Sequence, residues 1–543
     1  MSTKNIGNQT TSNMATTVEQ EEPRVSLDAS PDKKRHFRIS TVLIVIVMCL
    51  GSMTFAYSLS VIATTLGQPS FSTYMKIDTK PNATAIIGAT TSLYYAGGFF
   101  GALCSNWIGD RWGRKTAIMA GALIVLVSTA LCAGSVHIAM FIVFRFFTGW
   151  GAFILMISVP LWILETVPPE VRGSFAQMHG VAVNLGQTLA AWVGVGFFLH
   201  VSSSASAAWR GPVAIGCVPC LLLLLGLWWL PESPRYLLMK GRDQDAWNIV
   251  RNFHSSPDNP DLRFAEAEMF QMRMQTELDR TLPSTWLDMF KRPSYRKRFG
   301  MTVFLTFALQ ATGASVIAIY ATTLYSQLGF SPEKQLLLQS GMQTTNLPFT
   351  FACVFYTEKF RRPTLIVFGM MLLVATLSCY TALTAKFLDA DTSASGKIGA
   401  VAMIFFYVAA YSGTVEGPLY YYSAEFWPTH LRAKGMAVQA TTYAWTSILW
   451  AQSGSTALAN IGWHFFLIFI VLSTIGASII YFFYPDTQGK TLEEIGALFG
   501  DEDLVVVYQQ DIHVDPEHHK VTAELHVGSE KVAVADAFET AAV

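Results

Sequence analysis

Glu165-Thr-Val-Pro-Pro-Glu-Val-Arg-Gly173 and Glu425-Phe-Trp-Pro-Thr-His-Leu-Arg-Ala-Lys-Gly435 are two versions of one phrase. Each closes a long apolar run, with Glu, Pro and Arg at identical spacing (Glu165, Pro168, Arg172; Glu425, Pro428, Arg432). A second phrase, Asp110-Arg-Trp-Gly-Arg114-Lys115, follows an earlier apolar run and returns in weaker form as Glu358-Lys-Phe-Arg-Arg362. Equivalent charges at equivalent places indicate an internal repeat. A parallel repeat of membrane-embedded units is a carrier architecture, with a solute held between the halves near the bilayer midplane.

Outward from these phrases the chain is mostly bilayer-compatible. Of its 543 residues 52% are hydrophobic and 14% charged, a balance that would leave a water-soluble fold with too much apolar surface. A span needs roughly 20 apolar residues, because only a helix satisfies every backbone group without water. Such runs lie near 40–64, 85–108, 116–135, 138–164, 175–200, 211–230, 299–326, 336–357, 364–386, 398–424, 436–459 and 463–484. The expected fold is an all-α membrane protein of twelve transmembrane helices in two six-helix pseudo-repeated halves. The expected division is a polar tail (1–38), a first half (39–230), a helical loop (231–298), a second half (299–484) and a C-terminal tail (485–543).

Basic residues near span ends favour the cytoplasmic side. Lys33 to Arg35, Arg111 to Lys115, Lys359 to Arg362, and Arg432 with Lys434 share one side if the spans alternate, which places both termini in the cytoplasm. The first 38 residues lack a short apolar region followed by a cleavage site, so span one is expected to direct insertion itself. Asn82-Ala-Thr84, an acceptor pattern for N-glycosylation, then lies outside. In the loop, Arg263 to Arg280 has helical spacing with mixed charge and predicts an amphipathic helix. The acidic tail from Asp501 onward reads as disordered.

Net charge is −1, with no basic stripe for nucleic acid. The seven cysteines sit in apolar stretches without metal or disulfide spacing. No nucleotide loop or nucleophile–base set is evident, so neither an enzyme nor a cofactor is expected. The expected partners are the bilayer and a small solute, with the chain a monomer. Matched acids and bases at the basic ends suggest a gate: Asp110, Arg114, Glu165, Arg172, Glu358, Arg362, Glu425 and Arg432, pairing across the halves when that end closes. Ordinary anchoring explains the basic residues alone but not the matched acids.

These residues carry a family likeness. Asp110 to Lys115, Arg145-Phe-Phe-Thr-Gly-Trp-Gly151, Pro160 to Gly173, Pro231-Glu-Ser-Pro-Arg235, Glu425 to Gly435 and Pro485 to Glu494 resemble, in order, the signatures of the sugar porters of the major facilitator superfamily. Arg432 to Gly435 resembles the fungal hexose and lactose-permease-like branch. The resemblance implies an alternating-access carrier whose sugar hydroxyls meet polar side chains. Amides suit polyols because each offers donors and acceptors. By position Gln187, Gln310 and Asn346 match sugar contacts of the family, and Tyr320 matches a tyrosine near its outer gate. The family's polar run in span seven is thinned here to Leu309-Gln310-Ala-Thr312-Gly313-Ala-Ser315, Gly180 replaces a glutamine, and Tyr420 stands near a usual tryptophan. Either the substrate is not a simple hexose, or neighbours such as Gln177, His179, Asn184, Gln343, Gln439 and Gln452 compensate. Membrane helices also use such residues merely to bond one another, and Phe99, Tyr407, Tyr411, Tyr421 and Tyr422 read as packing or interfacial aromatics.

Proton-coupled members of the family carry an aspartate in span one facing an arginine in span four. Here Ser58 takes the acid's place while Arg145 remains, and a hydroxyl does not titrate at physiological pH. That favours a facilitator driven by the solute gradient. Glu416, an acid inside an apolar run, or His179 in span five could titrate instead and would overturn it. The alternatives are a carrier of a non-sugar metabolite on the same scaffold and a sugar sensor that moves nothing.

Overall fold

The computed structural model describes residues 39–501 apart from 78, 80, 168, 203–204, 255–262, 283–284, 388–393, 489–494 and 497, together with 512–515, 520–527 and 530–537. The polar segment 1–38, Pro168 and the Gly489–Glu494 part of the last motif lie outside the described residues. So do several side chains on described helices, among them Arg172, Gln177, Glu358, Tyr420 and Tyr421.

Long helices form twelve segments among the described residues. Spans one to six are Ile39–Leu66, Ala83–Trp112, Arg114–Ala133, Ile138–Thr166, Pro169–His200 and the pair Ala207–Ile215 with Cys217–Leu227. Spans seven to twelve are Pro293–Gln310 with Ala314–Gln327, Pro332–Tyr356, Arg362–Phe387, Ala394–Thr414 with Glu416–Glu425, Thr429–Asn460 and Phe465–Phe483. Nine are apolar enough along their length to cross a bilayer on composition alone; spans two, eight and eleven are not. The exceptions have a physical reason. Span two packs along span eleven, and span eight along span five, joining the halves. Helices shielded from lipid by protein need not be apolar all round.

Two local breaks decide what reaches the centre. Span seven breaks where Gly313 adopts φ 92°, a left-handed conformation that a side chain disfavours. Span ten breaks at Val415, just ahead of Glu416-Gly-Pro418, where proline has no N–H to return to the previous turn. Within the first half, glycines let backbones touch. A Cβ on Gly97 would lie 1.8 Å from the Phe146 carbonyl oxygen, and one on Gly149 1.8 Å from that of Tyr94.

The loop between the halves holds helices Pro234–Met239, Asp243–His254 and Arg263–Thr281, the last matching the amphipathic helix expected from its spacing. They share a small core of Leu237, Leu238, Ala246, Val250 and Met269.

The acidic tail departs from the expectation of disorder. Three strands, β1 (Ile512–Asp515), β2 (Lys520–Val527) and β3 (Glu530–Ala537), pair antiparallel in the order β1-β2-β3, with Val521 opposite Asp536 and Leu525 opposite Val532. Lys-Val-Thr-Ala-Glu-Leu-His-Val and Glu-Lys-Val-Ala-Val-Ala-Asp-Ala alternate with period two, a strand pattern that the acidic composition hid. Asp501 is also seated, 4% exposed, with its carboxylate 2.8 Å from the guanidinium of Arg298.

Candidate functional site

Between the halves lies a cavity, with about 850 Å³ of empty space when the open solvent at its mouth is included. Its polar lining comes from both halves: Ser60 and Gln187 from the first; Ser315, Gln343, Asn346 and Glu416 from the second. Asn346 donates to Gln343 Oε1 at 2.9 Å and accepts from Ser412 Oγ at 2.6 Å. Ser315 donates to Gln310 Oε1 at 2.6 Å across the span-seven break. Gln310 is therefore buried behind Ser315 and supports the cavity wall instead of lining it. Tyr320 lies off the cavity as well. Its hydroxyl donates to the Ala451 carbonyl at 2.5 Å and ties span seven to span eleven. The side chain of Tyr420 lies outside the described residues.

Two features escaped the sequence reading. Ser60 Oγ is buried without a hydrogen-bond partner among the described residues, yet lines the cavity. Tyr407 and Tyr411, read as packing residues, also line it, together with Phe55, Tyr95 and Tyr443. No periodicity separates an aromatic facing a cavity from one facing a neighbouring helix. Among the lining residues Glu416 is the one charged group. Asn184, from the other half, donates to its Oε2 at 3.0 Å and to Thr350 Oγ1 at 3.0 Å. His179 is bonded to Ser52 at 2.7 Å and joins spans one and five within one half.

Ser58 and Arg145 do meet, but through the backbone: Arg145 Nη1 donates to the Ser58 carbonyl at 2.6 Å. The Ser58 hydroxyl instead donates to the Phe55 carbonyl at 2.8 Å, with the Tyr94 hydroxyl 3.0 Å away.

At the basic end the repeat becomes geometric. In the first half Arg114 grips Glu165 through two contacts of 3.2 Å and reaches Asp110 at 2.7 Å. Ser233 donates to Glu165 at 2.5 Å, Glu232 accepts from the backbone N–H groups of Arg114 and Lys115, and Trp162 donates to the Pro231 carbonyl. In the second half Arg362 lies 3.5 Å from Glu425, and Thr487 donates to Glu425 at 2.5 Å. There Asp486 accepts from the backbone N–H of Arg362, and Tyr422 donates to the Pro485 carbonyl. Pro231-Glu-Ser233 and Pro485-Asp-Thr487 are thus equivalent parts of two matching clamps. The sequence reading quoted both stretches without seeing the equivalence, whose signal is the order Pro, acid, hydroxyl after the last span of each half. Burial pushes the Glu232 carboxyl above its usual range, against the three N–H groups that hold it down.

These pairs correct one expectation. The acids and bases described here, Asp110–Arg114–Glu165 and Arg362–Glu425, pair within a half and not across the halves, because the acid ending one span and the arginine opening another are neighbours inside each six-helix unit. Arg432 is half-buried; the side chains of Arg172 and Glu358 lie outside the described residues. Asn82 is exposed at the head of span two, at the end opposite the clamps.

Two pseudo-repeated six-helix halves, a central cavity lined from both, and charge clamps at one end define a membrane carrier of the major facilitator fold. Residues 44–499 match the Sugar (and other) transporter family, and the chain belongs to it. The chain is 30% identical over 457 residues to the MFS-type transporter criB of Aspergillus cristatus, covering 84% of this chain and 92% of that protein. It is 26% identical over 476 residues to a high-affinity glucose transporter of Kluyveromyces lactis, covering 84% of each. The proton:xylose symporter XylE bound to 6-bromo-6-deoxy-D-glucose superposes with a TM-score of 0.72 at 22% identity, covering 84% of this chain and 98% of that one. These relatives are transporters, not enzymes.

Proposed function

We propose that this protein carries a sugar or related polyhydroxylated solute across a membrane by alternating access. The observation that carries the reading is the central cavity, where Gln187, Gln343, Asn346, Ser60 and Ser315 converge from opposite halves beside aromatic faces. Amides and hydroxyls satisfy sugar hydroxyls, and aromatic rings cover the apolar faces of a sugar ring. The named glucose transporter among the relatives points the same way, and the polar lining favours this reading over a non-sugar metabolite. Gln187 and Asn346 are assigned direct contact. Gln310 acts through Ser315, and Tyr320 holds the span-seven segment against span eleven.

The mode is facilitation. Ser58 spends its hydroxyl on a backbone carbonyl and carries no titratable proton, so span one supplies no proton relay. The clamps set the resting balance between the two access states by fixing the shape of each half. The basic end faces the cytoplasm, both termini lie there, the plasma membrane is the compartment, Asn82 is available for glycosylation outside, and the chain acts as a monomer.

Uptake of a labelled panel of hexoses, disaccharides and polyols into proteoliposomes, at two pH values and with an uncoupler, tests this reading. Saturable sugar uptake indifferent to the uncoupler is expected. Uptake that collapses with the proton gradient and is lost in Glu416→Gln would replace facilitation by coupling through Glu416. Uptake of no polyhydroxylated solute would refute the substrate class.

A further inference from the structure

Arg145 lies in the middle of span four, 3% exposed, and its guanidinium sits 4.5 Å over the Tyr94 ring. One nitrogen, Nη1, donates to the Ser58 carbonyl, while Nε and Nη2 have no acceptor among the described residues. Arg145 also lines a small cavity in the first half, distinct from the central one, together with Tyr57, Ser58, Thr65, Thr129, Cys132 and Thr148 among others. Its lining contains no carboxylate. Thr129, 5% exposed, lines the same space, and its Oγ1 also has no hydrogen-bond partner among the described residues. The other hydroxyls there donate elsewhere: Ser58 to the Phe55 carbonyl, Thr65 to the Val61 carbonyl, and Thr148 to Ser128 or the Phe144 carbonyl.

An arginine does not shed its proton in a protein, and a buried charge is tolerated when paired or otherwise compensated. Two residues with unpartnered buried donors, Arg145 and Thr129, line one space, and the first carries a full positive charge. A water molecule there could accept from two donors but would leave that charge uncompensated. We propose that the cavity beside Arg145 binds a small inorganic monovalent anion, of the chloride class, held by Arg145 Nε and Nη2 and by Thr129 Oγ1. The anion is a structural counter-ion of the first half, which makes the stability of this carrier depend on anion identity. The site is independent of the transported solute, so failure of the substrate reading leaves it standing.

The test is the thermal midpoint of the purified full-length protein, without solute, in chloride and in gluconate at matched ionic strength. Wild type is expected to gain stability saturably with chloride, and with bromide or nitrate, relative to gluconate. Ser58→Asp places a carboxylate on the wall already bonded to Arg145, and should raise the midpoint in gluconate while abolishing the chloride response. Thr129→Val, a milder change, should shift the chloride titration about tenfold to higher concentration, the loss of one hydrogen bond to a charged group. Identical wild-type midpoints in all four salts would overturn the proposal and leave water at the site. A chloride response retained in full by both variants would overturn it too, because the anion would then bind elsewhere. If Ser58→Asp does not fold, the Thr129→Val titration decides alone.

Discussion

Arg114→Met removes the charge at the centre of the first clamp while keeping most of the side chain's bulk. Arg114 and Glu165 are 8% and 11% exposed at the side chain, and their two contacts form a bidentate pair. With the arginine gone, Glu165 retains only the Ser233 hydroxyl among these contacts, a carboxylate left buried beside a methionine. Breaking a buried pair from one side costs about 3–5 kcal/mol, most of it the uncompensated charge. Removing both charges in Arg114→Met/Glu165→Leu should recover most of that loss, since a hydrophobic replacement of a buried pair is often close to neutral. In the second half Arg362 contacts Glu425 at 3.5 Å, and Glu425 is 23% exposed, so Arg362→Met should cost less, about 1–3 kcal/mol after allowance for solvent screening. The assay is the thermal midpoint in detergent for the two single variants and the double, paired with alkylation of single cysteines placed at either mouth of the cavity. The reasoning fails if Arg114→Met costs no more than an exposed pair, about 0–1 kcal/mol. It fails equally if the double variant is as unstable as the single. Unchanged cysteine accessibility in all of them would remove the clamps from any role in gating.

Gly149→Leu should abolish folded protein, because its Cβ alone would lie 1.8 Å from the Tyr94 carbonyl oxygen, whereas Gly196→Ala, with nothing within 4 Å, should leave expression and uptake unchanged; size-exclusion profiles compare them. Asn346→Ala should raise KM for the sugar about tenfold and, because it strands the buried Ser412 hydroxyl and Gln343 amide oxygen, lower stability by about 1–3 kcal/mol; an unchanged KM removes Asn346 from the contact set. Asp501→Asn strips Arg298, 1% exposed, of its carboxylate and should lower stability by about 3–5 kcal/mol. A thermal midpoint equal to that of wild type would show that this pair does no structural work.

The twelve segments were legible because length and apolarity of a span are forced by the bilayer, whatever the rest of the sequence does. The paired phrases around Glu165 and Glu425 gave the repeat for the same kind of reason, since equivalent helix ends need equivalent charges. What remained hidden depends on rotation about a helix axis. Gln310 and Ser315 are five residues apart, and only the break at Gly313 decides that Ser315 faces the cavity while Gln310 stands behind it. The direction of Tyr407, whose hydroxyl donates to the Thr312 carbonyl, and the seating of Asp501 against Arg298 depend on neighbours far away in the sequence. The clamp pairing was misjudged because a matched acid and base in two halves fit a cross-half lock and two internal locks equally well on paper.

That distinction bears on mechanism. The charged contacts of the clamps, bidentate and largely buried in the first half, lie inside a half, where they hold six helices to one shape. The contacts that join the halves are of another kind: Ser92 to Gln452 at 3.2 Å, Thr188 to the Gln343 carbonyl at 3.0 Å, Trp192 to Thr344 at 2.8 Å, and the Tyr95 and Tyr443 rings 6.2 Å apart. Each such neutral hydrogen bond contributes about 0.5–1.5 kcal/mol net, and its partners can turn to water or to a bound polyol when separated. A carrier that must part its halves on every cycle needs an interface whose loss is small and divisible, and halves whose internal loss is not. Asn184 bonded to Glu416 is the exception, a cross-half contact to a charge at the cavity wall. It is the place where arrival of a solute hydroxyl, competing for the same carboxylate, would loosen the joint between the halves.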